Sequence, residues 1–202
     1  MFFQRSVAPV DHDDAVLQMP FFHRVLGDPL DREFPDSETA FLALGCFWGA
    51  EKLYWQLDGV LSTAAGYMGG TTRNPRYEET CTGLTGHAET VRIVFDPSVI
   101  TYADLLKLFF ENHDPTQGDR QGNDVGSQYR SAIFTTTDEQ AAVAARVRDE
   151  FQAKLSSAGY GKITTTVEPA PQWWYAEPVH QQYLDANPGG YCPVHATGIT
   201  CG

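Results

Sequence analysis

The chain has 202 residues and a formal net charge of −12 at pH 7. That length suggests one domain, with a core large enough to fold without staples. The acidity excludes a nucleic-acid partner and an anionic membrane surface, both of which attract clustered Lys and Arg, and is read as serving solubility.

Residues 1–37 carry several Pro and Asp and little periodicity, so they are read as an extension lying on the surface. Their start, MFFQRSVAPVDHDD, has no sustained apolar core and turns acidic early, which is unlike a signal peptide. No apolar run approaches a membrane span. A cytoplasmic monomer is expected.

Residues 39–44 form a compact apolar run ending in Gly45, the pattern of a buried strand. From Cys46 the apolar positions Phe47, Ala50, Leu53, Tyr54 and Leu57 repeat at helical spacing. Asp58-Gly59 marks a turn, residues 60–67 read as a strand, and the Gly, Pro, Asn and Thr of residues 69–86 read as loop. Residues 89–95, ETVRIVF, alternate polar and apolar as a half-buried strand does. Residues 101–112 predict an amphipathic helix with Thr101 as N-cap and Asp104 at the capping-box position. A long polar loop follows, then a strand over 129–135 and the longest helix over 137–157. Residues 162–168 read as a β-branched strand and 177–184 as a short helix. The Gly-rich end, NPGGYCPVHATGITCG, reads as a mobile tail.

The order β-α-β-β-α-β, then α-β, predicts an α+β fold. Its core is a ferredoxin-like split βαβ arrangement, a mixed and largely antiparallel sheet with helices packed on it. One domain is expected, with an extension at 1–37, a core at 38–185 and a coil-rich tail at 186–202.

A reducing cytosol disfavours a static disulfide framework for the four cysteines. There is no CxxC pair, and the spacings of Cys46, Cys81, Cys192 and Cys201 match no zinc pattern. Cys46 stands out by position. At the first turn of a helix, free N–H groups and the positive end of the dipole stabilise a thiolate, so Cys46 is expected to be an activated nucleophile. Phe47 and Trp48 point in different directions from neighbouring helix positions and cannot easily share one core stripe. Beside a thiolate they could cup a small apolar group.

The segments GCFWG (45–49), GYMGG (66–70), GHAE (86–89), HDP (113–115), RQGND (120–124), QYRSAI (128–133) and HQQYL (180–184) occur in this order. Together they resemble the peptide methionine sulfoxide reductases of the A type, over about residues 41–201. The resemblance implies reduction of methionine S-sulfoxide, free or in proteins, to methionine. It implies Cys46 as nucleophile, Glu89 as the acid at the sulfoxide oxygen, Tyr77 and Tyr129 as hydroxyl donors to that oxygen, and Asp124 as a polar residue orienting them. Phe47 and Trp48 then receive the substrate methyl group. The chemistry suits these residue types. A sulfoxide needs a soft nucleophile at sulfur and an acid at oxygen, and a desolvated carboxyl is held protonated near neutral pH. Cys46 would become a sulfenic acid, resolved by Cys192 and then Cys201. Thioredoxin would regenerate the thiols, with no bound cofactor and no metal. The run PVHATGIT departs from a wholly Gly-rich linker, and Pro193 stiffens the chain beside Cys192. Cys81 is expected to be structural or incidental.

Two other classes compete. A thiol hydrolase or amidotransferase would pair Cys46 with His87, His113 or His180. A non-catalytic peptide-binding module would use only the aromatic pocket.

Overall fold

The computed structural model describes residues 9–191 and 195–201. The core opens with β1 (Glu38–Leu44), α1 (Phe47–Trp55) and β2 (Val60–Met68), followed by the single turn α2 (Tyr77–Thr80), β3 (Ala88–Phe95) and α3 (Tyr102–Glu111). A small hairpin of β4 (Arg120–Gln121) and β5 (Asp124–Val125) leads through a 3-10 turn (Ser127–Tyr129) to β6 (Ser131–Thr135) and α4 (Asp138–Ser157). Two short strands, β7 (Thr166–Pro169) and β8 (Trp174–Tyr175), precede a 3-10 turn (Pro178–His180) and α5 (Tyr183–Ala186).

The main sheet has the order β7-β6-β1-β3-β2-β8. All its pairings are antiparallel except β6 with β7. β1 and β2 both run antiparallel to β3 from opposite sides, so they are parallel to each other with β3 inserted between them. The connection through α1 therefore places the start of that helix directly over the C-terminal end of β1.

One sheet face packs against the helices. Leu42, Ile93, Phe95 and Ile133 meet Phe47 and Tyr54 of α1, Leu105 and Phe109 of α3, and Val147 and Phe151 of α4. Each such side chain, fully buried, contributes about 1.5–3 kcal/mol relative to exposure. α3 carries the expected capping box, with Thr101 accepting from the Asp104 amide and the Asp104 side chain reaching back.

The other face is covered by extended chain. Leu17 and Leu30, from the segment before β1, pack on Ala64 with Tyr175, while Trp173 and Phe41 cover Met68 and Phe134. Arg92 donates to the Leu30 carbonyl at 2.9 Å. This corrects the sequence reading of β3 as half-buried: every residue of the strand except Arg92 is buried, because residues 9–37 and the approach to β8 roof the second face. The same cover accounts for the near-continuous burial of β2.

Smaller differences have local causes. The loop 69–86 contains α2, a single turn too short for any periodicity to announce. Tyr129 lies in the 3-10 turn before β6 instead of in the strand. The helix expected over 177–184 is broken at Gln182, which adopts a left-handed conformation (φ 46°). The β-branched run at 162–168 forms a strand only from Thr166. Residues 195–201 lie against the helices: the Lys154 ammonium reaches the carbonyls of Thr200 and Cys201, and Ile199 and Cys201 pack on the core. The middle of the expected tail, Cys192 and Pro193, lies outside the described residues. No helix among the described residues is long and apolar enough to cross a membrane.

Candidate active site

Cys46 caps α1 where β1 ends. Gly45 turns the chain there with φ 97°, and a Cβ at that position would lie 2.8 Å from the Gln121 side chain. Both the conformation and the space demand glycine. The Cys46 side chain makes no capping hydrogen bond, but the backbone N–H groups of Trp48 and Gly49 at the helix start favour its thiolate. The net effect on the thiol is nonetheless the reverse of the sequence expectation. Burial pushes the Cys46 thiol well up, the Glu89 and Asp124 carboxylates push it further, and the nearby helix amides offset only part. The site around Cys46 is dry, which the dipole argument did not include.

Glu89 explains part of that. It stands on β3 opposite Tyr67 of β2, is 2 % exposed, and its Oε2 accepts the Phe47 amide at 3.0 Å. Burial raises its pKa to about 8, the Phe47 amide opposing and Asp124 reinforcing the shift. Near pH 7 it is mostly protonated. In that form it no longer repels a thiolate at Cys46, and it carries a proton available at the site.

Phe47 and Trp48 divide the work. Phe47 is a core residue, 1 % exposed, and its ring lies 5.8 Å from Tyr67 and 5.3 Å from His180. Trp48 is half-buried, stacked on Tyr183 at 3.8 Å and on His180 at 5.8 Å. Its Nε1–H donates to His180 Nδ1 at 3.1 Å. The Tyr77 ring closes on His180 at 4.6 Å. These rings form a cage at the start of α1.

Tyr77 and Tyr129 both sit within electrostatic reach of Glu89. Burial first, then neighbouring acidic groups including Glu89, hold both phenols well above the ordinary tyrosine range, so each keeps its O–H as a donor. Burial raises the neighbouring Cys81 thiol, with Tyr77 opposing the shift. Asp124, on β5, accepts the Tyr191 hydroxyl at 3.0 Å through Oδ1. Its Oδ2 is buried without a hydrogen-bond partner among the described residues. The structure thus gathers Cys46, Phe47, Trp48, Tyr77, Glu89, Asp124 and Tyr129 at one place. Cys201 is elsewhere, on the α3–α4 side, its sulfur 3.9 Å from the Lys107 carbonyl. Cys192 lies outside the described residues.

The motif reading assigned no role to three residues. Glu177 accepts the Tyr67 hydroxyl at 2.9 Å and the Tyr77 amide at 2.8 Å. His180 and Tyr183 wall the cage. The last two lie within HQQYL, one of the segments that carry the family resemblance, and that membership was the available signal. Burial lowers the His180 pKa, opposed by Glu177, so it stays neutral and accepts from Trp48.

None of the three histidines that a hydrolase would need bonds to Cys46. His87 accepts the Gly70 amide and meets the Thr72 carbonyl. His113 lies between the Phe109 carbonyl and the Ser131 hydroxyl. Among the described residues no cluster of His, Cys, Asp or Glu could hold a metal ion.

A half-buried thiol, a buried protonated carboxyl beside it and an adjoining aromatic cage mark a thiol-based oxidoreductase. Comparison with known proteins narrows the class. Residues 38–200 match the family model described as peptide methionine sulfoxide reductase, and the chain belongs to that family. It is 54 % identical over 203 residues to peptide methionine sulfoxide reductase MsrA of Corynebacterium kroppenstedtii, covering 98 % of this chain and 92 % of that one. Among solved structures, methionine sulfoxide reductase A of Corynebacterium diphtheriae matches with a TM-score of 0.87 at 47 % identity, over 96 % of this chain and 95 % of that one. Mxr1 from Saccharomyces cerevisiae, solved in complex with Trx2, matches with a TM-score of 0.55 at 26 % identity, over 81 % and 92 %.

Proposed function

We propose that this chain reduces the S-epimer of methionine sulfoxide, free or within oxidised proteins, by nucleophilic attack of Cys46 at the sulfoxide sulfur. The observation that carries the reading is Glu89: a fully buried carboxyl with its pKa near 8, beside the thiol and anchored to the first amide of α1. Such a group stays protonated at neutral pH and acts as general acid toward the sulfoxide oxygen. Tyr77 and Tyr129 donate hydrogen bonds to the same oxygen, and Asp124 orients them. The methyl group rests against Phe47 and Trp48.

The raised Cys46 thiol is compatible with this chemistry. Proton transfer from Glu89 makes the sulfoxide a cation, and a neighbouring cation favours the thiolate. The thiol proton then returns to Glu89. The sum is balanced: thiol plus sulfoxide gives sulfenic acid plus sulfide, with the oxygen moved from substrate to Cys46. Cys192 attacks the sulfenic sulfur, releasing water and forming a disulfide. The Cys201 thiolate then attacks the Cys192 sulfur and frees Cys46.

A thioredoxin-type dithiol reduces the last disulfide, a reading supported by the neighbour solved with Trx2. No bound cofactor is required. A single domain working as a monomer in a reducing compartment fits this cycle, and the strand order β6-β1-β3-β2 supports a split βαβ, ferredoxin-like description of its core.

The test is single-turnover product analysis without reductant, using each sulfoxide epimer separately. With one equivalent of the S-epimer, one methionine and one disulfide per enzyme are expected. Equal yield from the R-epimer, or methionine formed with all thiols retained, overturns the proposal.

A further inference from the structure

Behind the cage lies a buried polar chain that the proposed chemistry does not use. Glu51, on α1 one turn after Trp48, is 0 % exposed. Its Oε1 accepts from the Thr63 hydroxyl at 3.0 Å and from the Gln182 side-chain amide at 2.6 Å, and its Oε2 from the Gln182 backbone N–H at 2.8 Å. Every neighbour is a donor, and the direction of each bond can be traced back through the protein. The backbone N–H groups of Val25 and Leu26 both donate to His23 Nδ1. His23 therefore carries its hydrogen on Nε2, where it faces Thr63 Oγ1 at 2.9 Å. Thr63 accepts that hydrogen and passes its own to Glu51. The Arg24 amide donates to Gln182 Oε1, which turns the Gln182 –NH₂ toward Glu51. Only an acceptor fits at position 51.

Gln182 is held in the left-handed region (φ 46°), a conformation that a side-chain-bearing residue adopts only at a cost. Three hydrogen bonds oppose that cost. Two residues before this kink His180 accepts the Trp48 Nε1–H, and directly after it the Tyr183 ring stacks on Trp48.

We propose that Glu51 is a positioning residue for the cage: by binding Gln182 it fixes the kink that presses His180 and Tyr183 against Trp48. Thr63 and His23 set the hydrogen-bond direction that makes Glu51 the acceptor. The segment before β1, which carries His23, is thereby part of the site's support and not only a cover for the sheet. The inference rests on the reading of the cage as the seat of the sulfoxide methyl group.

The experiment uses Glu51→Gln and His23→Phe in the full chain, with Gln140→Ala as reference. Gln140 bonds to the Thr39 carbonyl at the far end of β1, so its loss destabilises without touching the cage. Glu51→Gln turns one acceptor oxygen into a donor facing donors. For a group that binds substrate equally in the ground and transition states, KM rises while kcat holds. KM for methionine sulfoxide is expected to rise roughly tenfold, the scale of one lost hydrogen bond, with kcat within about twofold. His23→Phe should move KM the same way by less, and Gln140→Ala not at all. The second readout is Trp48 emission, taken as the difference between each protein and its Trp48→Phe counterpart. It should shift in Glu51→Gln and not in Gln140→Ala. Folded Glu51→Gln with unchanged KM and unchanged Trp48 emission overturns the proposal. If Glu51→Gln does not fold, His23→Phe decides by the same two measurements. If the wild-type chain reduces no sulfoxide, the reading of function falls, and the emission arm alone still decides whether Glu51 holds the cage.

Discussion

The Glu89 carboxyl accepts its hydrogen bond from the amide of Phe47, the residue directly after Cys46. Acid and nucleophile are thereby tied to the same turn of α1, one through a hydrogen bond and the other through the chain. A shift of the helix start moves both together, so their separation is insensitive to small motions of α1.

Replacement of Cys46 by Ser should abolish sulfoxide reduction and leave the fold unchanged, since an alcohol is harder and far less acidic than a thiol. Steady-state assays and a melting curve check this. Turnover near the wild-type rate would remove Cys46 from the nucleophile role.

Glu89→Gln should slow the single-turnover rate by about 10²–10⁴, the usual contribution of a general acid, because Gln donates a hydrogen bond but transfers no proton. The wild-type rate should also fall as pH rises through about 8, where Glu89 loses its proton. Stability carries the same signature. The folded carboxyl holds its proton up to about pH 8, whereas the unfolded one releases it near pH 4.3. The folded state thus binds more protons between those values, and stability falls as pH rises across that window. Melting temperatures at pH 6 and pH 9 should drop less in Glu89→Gln than in wild type. Equal drops would place the titration elsewhere.

His180→Phe keeps an aromatic wall but leaves the Trp48 Nε1–H without its acceptor. An orphaned buried donor costs about 1–3 kcal/mol. Both the melting temperature and the affinity for methionine sulfoxide should decline. An unchanged KM would show that Trp48 keeps its pose without the histidine.

The tail cysteines separate in their effects. Cys192→Ser should form one methionine per enzyme and stall with Cys46 as a sulfenic acid, trapped by a sulfenic-specific reagent. Cys201→Ser should lose only part of its steady-state rate with thioredoxin, because the first disulfide still forms. The reverse pattern would exchange the two assignments.

Much of this was legible in the sequence. The run 39–44 and the glycine before Cys46 announced a strand turning into a helix, and the family resemblance named seven residues that the fold gathers. The charge state of Cys46 was not legible. It depends on how tightly β3 and the hairpin at Asp124 close over the sulfur, and Glu89 and Asp124 stand 43 and 78 positions along the chain from Cys46. Glu177, Gln182 and Glu51 were hidden for a related reason. A buried polar residue looks like a surface one in sequence until its partners are placed. The roof over the second sheet face was hidden because residues 9–37 bury only single apolar side chains, such as Leu17 and Leu30, with no repeat between them.

The cage joins Trp48 to His180 across 132 positions of chain. Synthesis delivers the N-terminal part first, at about 5–20 residues per second. A nascent chain therefore exposes Cys46, Phe47 and Trp48 for many seconds before the ribosome has made the residues that enclose them. The wall of the site is translated well after the thiol, so a chain released short of Tyr183 carries the thiol without the enclosure.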